Sequence, residues 1–457
     1  MNDWVPILPT NGGPRYLAFV EALEGDIASG QIKPGMRLLP QREMAQRLSL
    51  SIGTISKAYS EAEQRGLISG EVGRGTFVQR RKPEQRSGYG SSDATINLAL
   101  NVPPYTGEDE VIASALADIA AQGEITNLLG YLPHQGVRRH REAMVLWLAS
   151  LGVTADPDEL FITHGGQHAL SVALNLATSP GDIVLTERFT YSGMIALSAQ
   201  NGYRLYGVTT DAHGLVPEAL DRAFNETGAK ALFCMPTLQT PTGAVMPEER
   251  RDAIAEIVQK HSAYLLEDDA YAFLFEEPPR PIAARIPERS FYVVSFAKCL
   301  APGLRIAAMI APASFRDRCN NAIRATGWMA SPVMAEVVTR LIHDGGLRRQ
   351  VKRKREKAIV RNEIVSRVLG TWLPPISSSP GFHRWLPLPM GRTLNALVTQ
   401  AAHAGITLAP PGALQQVDRG TLGVRICLGH PSTEAELERA MMEIKRILEM
   451  TEAISFV

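Results

Sequence analysis

FYVVSFAKCLAPGLRIAAMIAP, residues 291–312, is the stretch from which the fold is read. An apolar run rich in aromatic and β-branched residues ends at Ser295, and a single lysine, Lys298, follows it. Pro302 and Gly303 then turn the chain into a second apolar run, from Arg305 to Ile310. The pattern reads as strand, functional turn, strand. A strand end inside a large core is dry, and desolvation favours the neutral form of a lysine held there. A neutral amine adds to an aldehyde. The plain alternative is a surface lysine capping a strand; against it stand Ser295 and Arg305, both able to bind a phosphate on either side of Lys298.

Outward from this segment, strand-like runs alternate with helical ones from residue 95 to 452, with no fixed-period repeat. Such alternation predicts an α/β fold, a mainly parallel sheet with helices on both faces, in which ligands bind outside the carboxyl ends of the strands. Polar residues cluster at those ends. The run Leu160 to Thr163 ends in HGGQ and enters a helix, where Gly165 and Gly166 permit close backbone approach. The amides of Gly166 and Gln167 suit a phosphate there, and a plain strand-to-helix turn has the same look. After Ile183 to Leu185 comes ERFTYSG, whose Tyr191 ring either stacks on a flat ligand or packs in the core. ALFCMPTLQTPTG ends a strand in a loop presenting Thr240 and Thr242. AYLLEDDAY carries a strand into Asp268 and Tyr271. An acid directly after apolar residues is expensive to bury without a cationic partner, and a pyridinium nitrogen is one.

The first eighty residues form a separate module. Leu17, Val20, Leu23, Ile27 and Ala28 recur at helical spacing until Gly30, Pro34 and Gly35 stop the helix. A second short helix after Pro40 turns Met44, Ala45 and Leu48 inward. The Ser49 to Ser51 turn leads into a third, with Ile55, Ala58, Tyr59 and Ala62 as its buried stripe. LIS, a glycine-rich basic turn and TFVQ then read as a β-hairpin. In a helix-turn-helix the exposed face of the third helix, here Gly53, Thr54, Ser56 and Lys57, reaches base edges. Arg37, Arg42 and Arg74 are the phosphate or groove contacts. Residues 1–90 carry 12 basic and 9 acidic side chains, so affinity depends on local placement and on two copies of the module. Residues 80–94, charged and then small and polar, read as a flexible linker.

Over all 457 residues lysine plus arginine equals aspartate plus glutamate at 47 each, so global charge neither favours nor excludes nucleic acid. An apolar content of 45% supports a sizeable core. Cys234, Cys299, Cys319 and Cys427 lack Cys-x-x-Cys spacing, which suits reduced thiols and supports neither a metal site nor a disulfide framework. No apolar run reaches the length of a membrane span, and the start lacks a charged-then-apolar leader, so the expected location is the cytoplasm. The basic run RRQVKRKREK, residues 348–357, reads as the solvated face of a helix.

GQIKPGMRLLPQREMAQRLSLSIGTISKAY followed by RGLISGEVGRGTFV resembles the winged helix-turn-helix of GntR-type regulators, with Leu39 where many relatives carry proline. The resemblance implies a DNA-binding domain over residues 13–79. The ordered series GYLPHQGVRRHREAM, THGGQHAL, TYSGM, QTPTG, EDDAY, SFAKCLAPGLR and VRICLGH resembles fold-type I aminotransferases of class I/II. That implies a pyridoxal 5'-phosphate domain over residues 95–452, of which about 345–452 forms a small α+β subdomain. The resemblance makes Lys298 the lysine of the cofactor aldimine, Asp268 the partner of the pyridine nitrogen and Tyr271 a donor to the ring hydroxyl. Tyr191 stacks on the ring, and Gly166, Gln167, Ser295 and Arg305 hold the phosphate. Tyr131 reaches the phosphate of the partner subunit, and Arg425 pairs with a substrate or effector carboxylate. Thr240 departs from the pattern: active relatives usually carry asparagine there, and threonine offers one hydroxyl where asparagine offers two amide protons. The fusion resembles the MocR subfamily of transcription regulators, implying a homodimer that senses an amino acid, an amine or the cofactor itself. A working aminotransferase and a cofactor-free dimerisation scaffold are the alternatives.

Overall fold

Three helices and a hairpin make up the first module: α1 (Arg15–Ala28), α2 (Gln41–Leu48), α3 (Ile52–Gln64), β1 (Ile68–Glu71) and β2 (Gly75–Val78). They belong to a computed structural model that describes residues 4–8, 14–28, 31–33, 35–64, 67–71, 75–78, 95–374, 380–408 and 422–450. Arg74 and the linker at 80–94 lie outside the described residues. The chain divides into two compact units, 1–90 and 91–457.

In the first unit Ile55, Ala58, Tyr59 and Ala62 of α3 are buried against Val20, Leu23, Met44 and Ala45, as the helical spacing predicts. Phe19 is fully buried as well, a contribution the spacing argument passed over, while Leu17 is only half-buried. The turn between α2 and α3 is closed by Ser49 in the left-handed region and by Ser51, whose Oγ accepts from the Thr54 amide at 3.1 Å. β1 and β2 pair antiparallel, and Leu38 N–H donates to Thr76 O at 2.9 Å, which ties the approach to α2 onto the wing.

In the second unit a seven-stranded sheet runs in the order Leu160–Thr163, Ala307–Ile310, Ser290–Ser295, Tyr264–Asp268, Ala231–Cys234, Ile183–Glu187, Arg204–Val208. All neighbours are parallel except Ala307–Ile310, which is antiparallel to both of its partners. The central strands are buried along their whole length, which is why they read as unbroken apolar runs rather than alternating ones. A second core gathers around the pair His383–Pro387 and Gly423–Cys427, with the helices Leu394–His403 and Glu434–Glu449 against it. Leu98 sits in this core, and Ile96–Asn97 pairs in parallel with Ile406–Thr407, so the start of the unit and its end share one subdomain. Among the described residues no helix is long and apolar enough to cross a membrane.

The helix Gly346–Leu369 joins the two cores, giving Leu347, Val351 and Ala358 to the main one and Ile364, Val365 and Leu369 to the second. The basic run expected as a solvated face lies on it, and that expectation fails in part. Lys354 is completely buried, donating to Pro104 O at 3.0 Å and lying 3.3 Å from a Glu108 oxygen; Arg355 donates to the Phe273 and Phe275 carbonyls. Long basic side chains here close the seams of the helix with the segments around it. Lys354→Ala leaves the Glu108 carboxylate without its cation beside a new void, and is expected to destabilise the protein by about 3 kcal/mol. The check is the urea unfolding midpoint of the second unit's transition; an unchanged midpoint contradicts this account of the helix.

Candidate functional site

Sheet register brings the functional segments together. Asp268 ends its strand opposite Val293; Ser295 ends the next strand opposite Ala307, which in turn pairs with Thr163. HGGQ leaves Thr163 into the helix Gly166–Ala177, Lys298 sits in the one-turn helix Phe296–Cys299 after Ser295, and Arg305 enters the antiparallel strand. Between them lies a cavity of about 540 Å³ lined by Gly166, Gln167, Tyr191, Thr240, Asp268, Tyr271, Ser295, Lys298, Arg305 and Arg425. All of these were candidates from the sequence.

One end of the cavity is built for an anion. Gly165 has φ +82°, and a Cβ there would lie 2.7 Å from Arg305 Nη2, so a glycine is needed for the guanidinium to lie across the helix start. Arg305, itself at φ +52°, donates to His164 O at 3.3 Å. Ser295 Oγ accepts from the Ala297 amide at 3.2 Å, capping the turn that carries Lys298. Helix amides, guanidinium and hydroxyl make a phosphate cradle.

The other end is built for a protonated ring. Asp268 is buried and its Oδ1 has no hydrogen-bond partner among the described residues. Burial, reinforced by the Asp269 charge, pushes its carboxyl up to about 7, with Lys298 opposing. A buried oxygen left unpaired is costly, and a ring N–H answers it. Its neighbours in the acidic run have other roles: Glu267 accepts from the Ile282 and Ala283 amides near Arg251, and Asp269 accepts from the Tyr292 hydroxyl at 2.8 Å. A Cβ at Gly193 would collide with the Tyr191 ring and Gln167 Oε1, so this glycine permits their packing. Burial raises the Tyr191 and Tyr271 phenols above their ordinary value, which keeps both as hydroxyl donors.

Lys298 donates from Nζ to the backbone carbonyl of Asn101. Burial lowers its pKa to about 8, with Arg425 adding to the effect and Cys427 and Asp268 opposing it. Arg425 donates through Nη2 to Ala99 O at 2.8 Å, and its buried Nε has no hydrogen-bond partner among the described residues. The Gly165 cradle at one end and the orphaned Asp268 oxygen at the other match a ring that carries a phosphate arm, so these residues fit pyridoxal phosphate. Tyr131 does not line this cavity: it is 86% exposed, its ring centroid 5.4 Å from that of Trp328. Sequence reasoning missed Asn101, which lines the cavity, and His383, fully buried behind Tyr271. Both act across long sequence separations, and the only local signal was a polar residue closing the short run before Pro103 and Pro104.

In the first unit Arg37, Arg42, Gly53, Ser56 and Lys57 are exposed. Thr54 is half-buried, its hydroxyl 2.8 Å from Ser51 Oγ in the turn, and Lys57 Nζ lies 4.1 Å over the Tyr16 ring. The Arg37 guanidinium crosses the hairpin at Gly75, where a Cβ would lie 2.5 Å from its Nε.

Residues 93–444 match the family Aminotransferase class I and II, and residues 15–78 match the bacterial regulatory proteins of the gntR family. The chain is 27% identical over 456 residues to the uncharacterized HTH-type transcriptional regulator YdeF of Bacillus subtilis, covering 98% of this chain and 97% of that one. It is 27% identical over 396 residues to the HTH-type pyridoxine biosynthesis transcriptional regulator PdxR of Corynebacterium glutamicum, covering 84% of each. A solved kynurenine aminotransferase of Pyrococcus horikoshii, in complex with PMP, shares the fold: TM-score 0.71 and 23% identity, covering 78% of this chain and 91% of that one.

Two measurements check the site. With the Lys298 pKa near 8, roughly a tenth of the amine is neutral at pH 7, against about one part in 3,000 for an unperturbed lysine. The rate at which visible absorbance grows when pyridoxal phosphate is added to cofactor-free protein is therefore expected to rise with pH to a half-maximum near 8; a half-maximum near 10 contradicts the burial argument. Gly165→Ala should weaken pyridoxal phosphate at least tenfold, about 1.4 kcal/mol, by fluorescence titration. Pyridoxal, which lacks the phosphate, should bind the variant and the parent alike.

Proposed function

We propose, from the premise that the chain belongs to the aminotransferase class I and II family, that it is a pyridoxal-phosphate-dependent regulator of transcription. It binds duplex DNA through its gntR-family module and senses an amino acid, an amine or the cofactor itself. The observation that carries the reading is the convergence of Lys298, Asp268, Tyr271 and the phosphate cradle on one cavity, in the same chain as a three-helix, hairpin-bearing DNA-binding module.

Bound pyridoxal phosphate supplies an aldehyde that condenses with amines and a ring that withdraws electrons. The chain does the rest. Arg305, Ser295 and the amides of Gly166 and Gln167 hold the phosphate; Asp268 keeps a proton on the ring nitrogen; Tyr191 covers a ring face; Tyr271 and Thr240 turn hydroxyls toward the ring oxygen. Desolvation lets Lys298 present a fraction of its amine in the neutral form at pH 7, and an incoming amine competes with that Nζ for its place. Arg425 adds a preference for a carboxylate. It comes from the second core and Lys298 from the main one, so a ligand touching both favours their closure, and a response follows to the extent that the ligand binds the closed form more tightly. Exposed Tyr131 reaches the phosphate of a second copy, and a homodimer carries two DNA-reading modules. Action in the cytoplasm follows from duplex DNA as partner.

A working aminotransferase is the second reading, favoured by the intact set of Lys298, Asp268 and Tyr271. Conversion of the bound cofactor to its pyridoxamine form by an amino acid, with return on adding a keto acid, distinguishes it from sensing alone.

Lys298→Ala is expected to lose the visible absorbance of the bound cofactor and the ligand response while still binding DNA, as read by fluorescence anisotropy. Arg42→Ala should weaken DNA binding evenly across sequences and reduce the salt slope by about 1, with cofactor absorbance intact. A DNA affinity that ignores every amino acid and amine tested, and the cofactor too, contradicts the regulator reading.

A further inference from the structure

Asn101 closes the segment leaving the Ile96–Asn97 strand and lines the cavity beside Tyr271 and Lys298. Its side-chain nitrogen donates to the Tyr271 hydroxyl at 2.7 Å and lies 3.4 Å from His383 Nδ1. Its backbone carbonyl accepts from Lys298 Nζ.

His383 fixes which way the amide faces. The ring is fully buried and burial lowers its pKa to about 3, so it is neutral; its Nε2 sits 3.0 Å from the Gln239 carbonyl, which can only accept. The single ring proton is therefore on Nε2, and Nδ1 is an acceptor that needs a donor. The Asn101 amide nitrogen is that donor, whereas the reverse placement would set the amide oxygen against the Nδ1 lone pair. The cost of this orientation is visible: among the described residues, buried Asn101 Oδ1 has no hydrogen-bond partner. The Tyr271 oxygen accepts a proton from Asn101 and has the Thr240 hydroxyl as a second hydrogen-bonding neighbour on the cavity wall, so its own O–H is left for a cavity acceptor, and accepting hydrogen bonds makes it a stronger donor of the next. Thr240, also on the cavity wall, offers a hydroxyl where the aminotransferase pattern has an amide.

We propose that Asn101 is a positioning residue of the cofactor site. Its amide, oriented by His383, aims the Tyr271 hydroxyl proton at the ring hydroxyl of bound pyridoxal phosphate and so supplies, one residue removed, the amide that Thr240 lacks. The inference rests on the cofactor reading above. The titratable groups acting on Tyr271 are Arg425, Cys427 and Asp268, and those acting on His383 are Arg425 and Lys298; every variant below keeps them.

The test is a pH titration of the visible absorbance of the cofactor-loaded protein. A donor aimed at the ring oxygen weakens that oxygen's hold on the chromophore proton, so losing it moves the transition to higher pH. Asn101→Ala and the similarly sized Asn101→Leu should each shift it upward by about one unit, a tenfold change in proton affinity. In a Tyr271→Phe background Asn101→Ala should add nothing, because Asn101 acts through the tyrosine hydroxyl. Two results overturn the proposal: unshifted titrations in both single variants, even with a lowered unfolding temperature, or the same extra shift in the Tyr271→Phe background. If the parent protein develops no visible absorbance with pyridoxal phosphate, the cofactor reading falls and the proposal with it; if the parent titrates and the variants match it, only the proposal falls.

Discussion

A half-buried primary amine and a buried carboxylic acid at the ends of adjacent strands are what the rest of the second unit is arranged around. Desolvation moves both toward neutrality, the Lys298 amine down to about 8 and the Asp268 carboxyl up to about 7. Neither would be tolerated there without purpose, since an ionisable group in a dry site costs stability unless something pairs with it. The seven-stranded sheet supplies the dryness. Its register fixes the geometry: the pairing of Asp268 with Val293 and of Ser295 with Ala307 determines that acid, lysine turn and Arg305 leave the sheet side by side.

The same cavity is where the two cores of that unit meet. Asn101 and Arg425 come from the subdomain that begins at Ile96 and ends with the final helix, and the phosphate cradle comes from the main sheet. In the proposed function, a ligand held from both sides links chemistry at Lys298 to the relative placement of the cores. The helix Gly346–Leu369, stapled by Lys354 and Arg355, is a continuous element that contributes side chains to both cores.

How much of this the sequence carried depended on the range of the interaction. Lys298, its flanking Ser295 and Arg305, and Asp268 were legible because each stands out locally as a polar residue at the edge of an apolar run. The helix α3 was legible from period alone, since Ile55, Ala58, Tyr59 and Ala62 keep one helical stripe. The role given to Tyr131 came only through resemblance; in its own chain the residue lies outside the cavity, beside Trp328. Asn101 and His383 were not legible: the Asn101 contacts with Tyr271 and His383 span 170 and 282 residues, and a lone polar residue before Pro103 and Pro104 does not identify them. The basic run at 348–357 misled for a related reason. Charge along a helix says nothing of what faces it, and here backbone carbonyls of the 104–108 and 273–275 segments take up cations that a reading by charge leaves in water.

The central claim is that one particular amine holds the cofactor. Borohydride reduction of the protein loaded with pyridoxal phosphate, followed by proteolysis and mass spectrometry, locates the bond directly. The account predicts a single phosphopyridoxyl group on the peptide containing Lys298. Label spread over surface lysines, or confined to a peptide without Lys298, would contradict it.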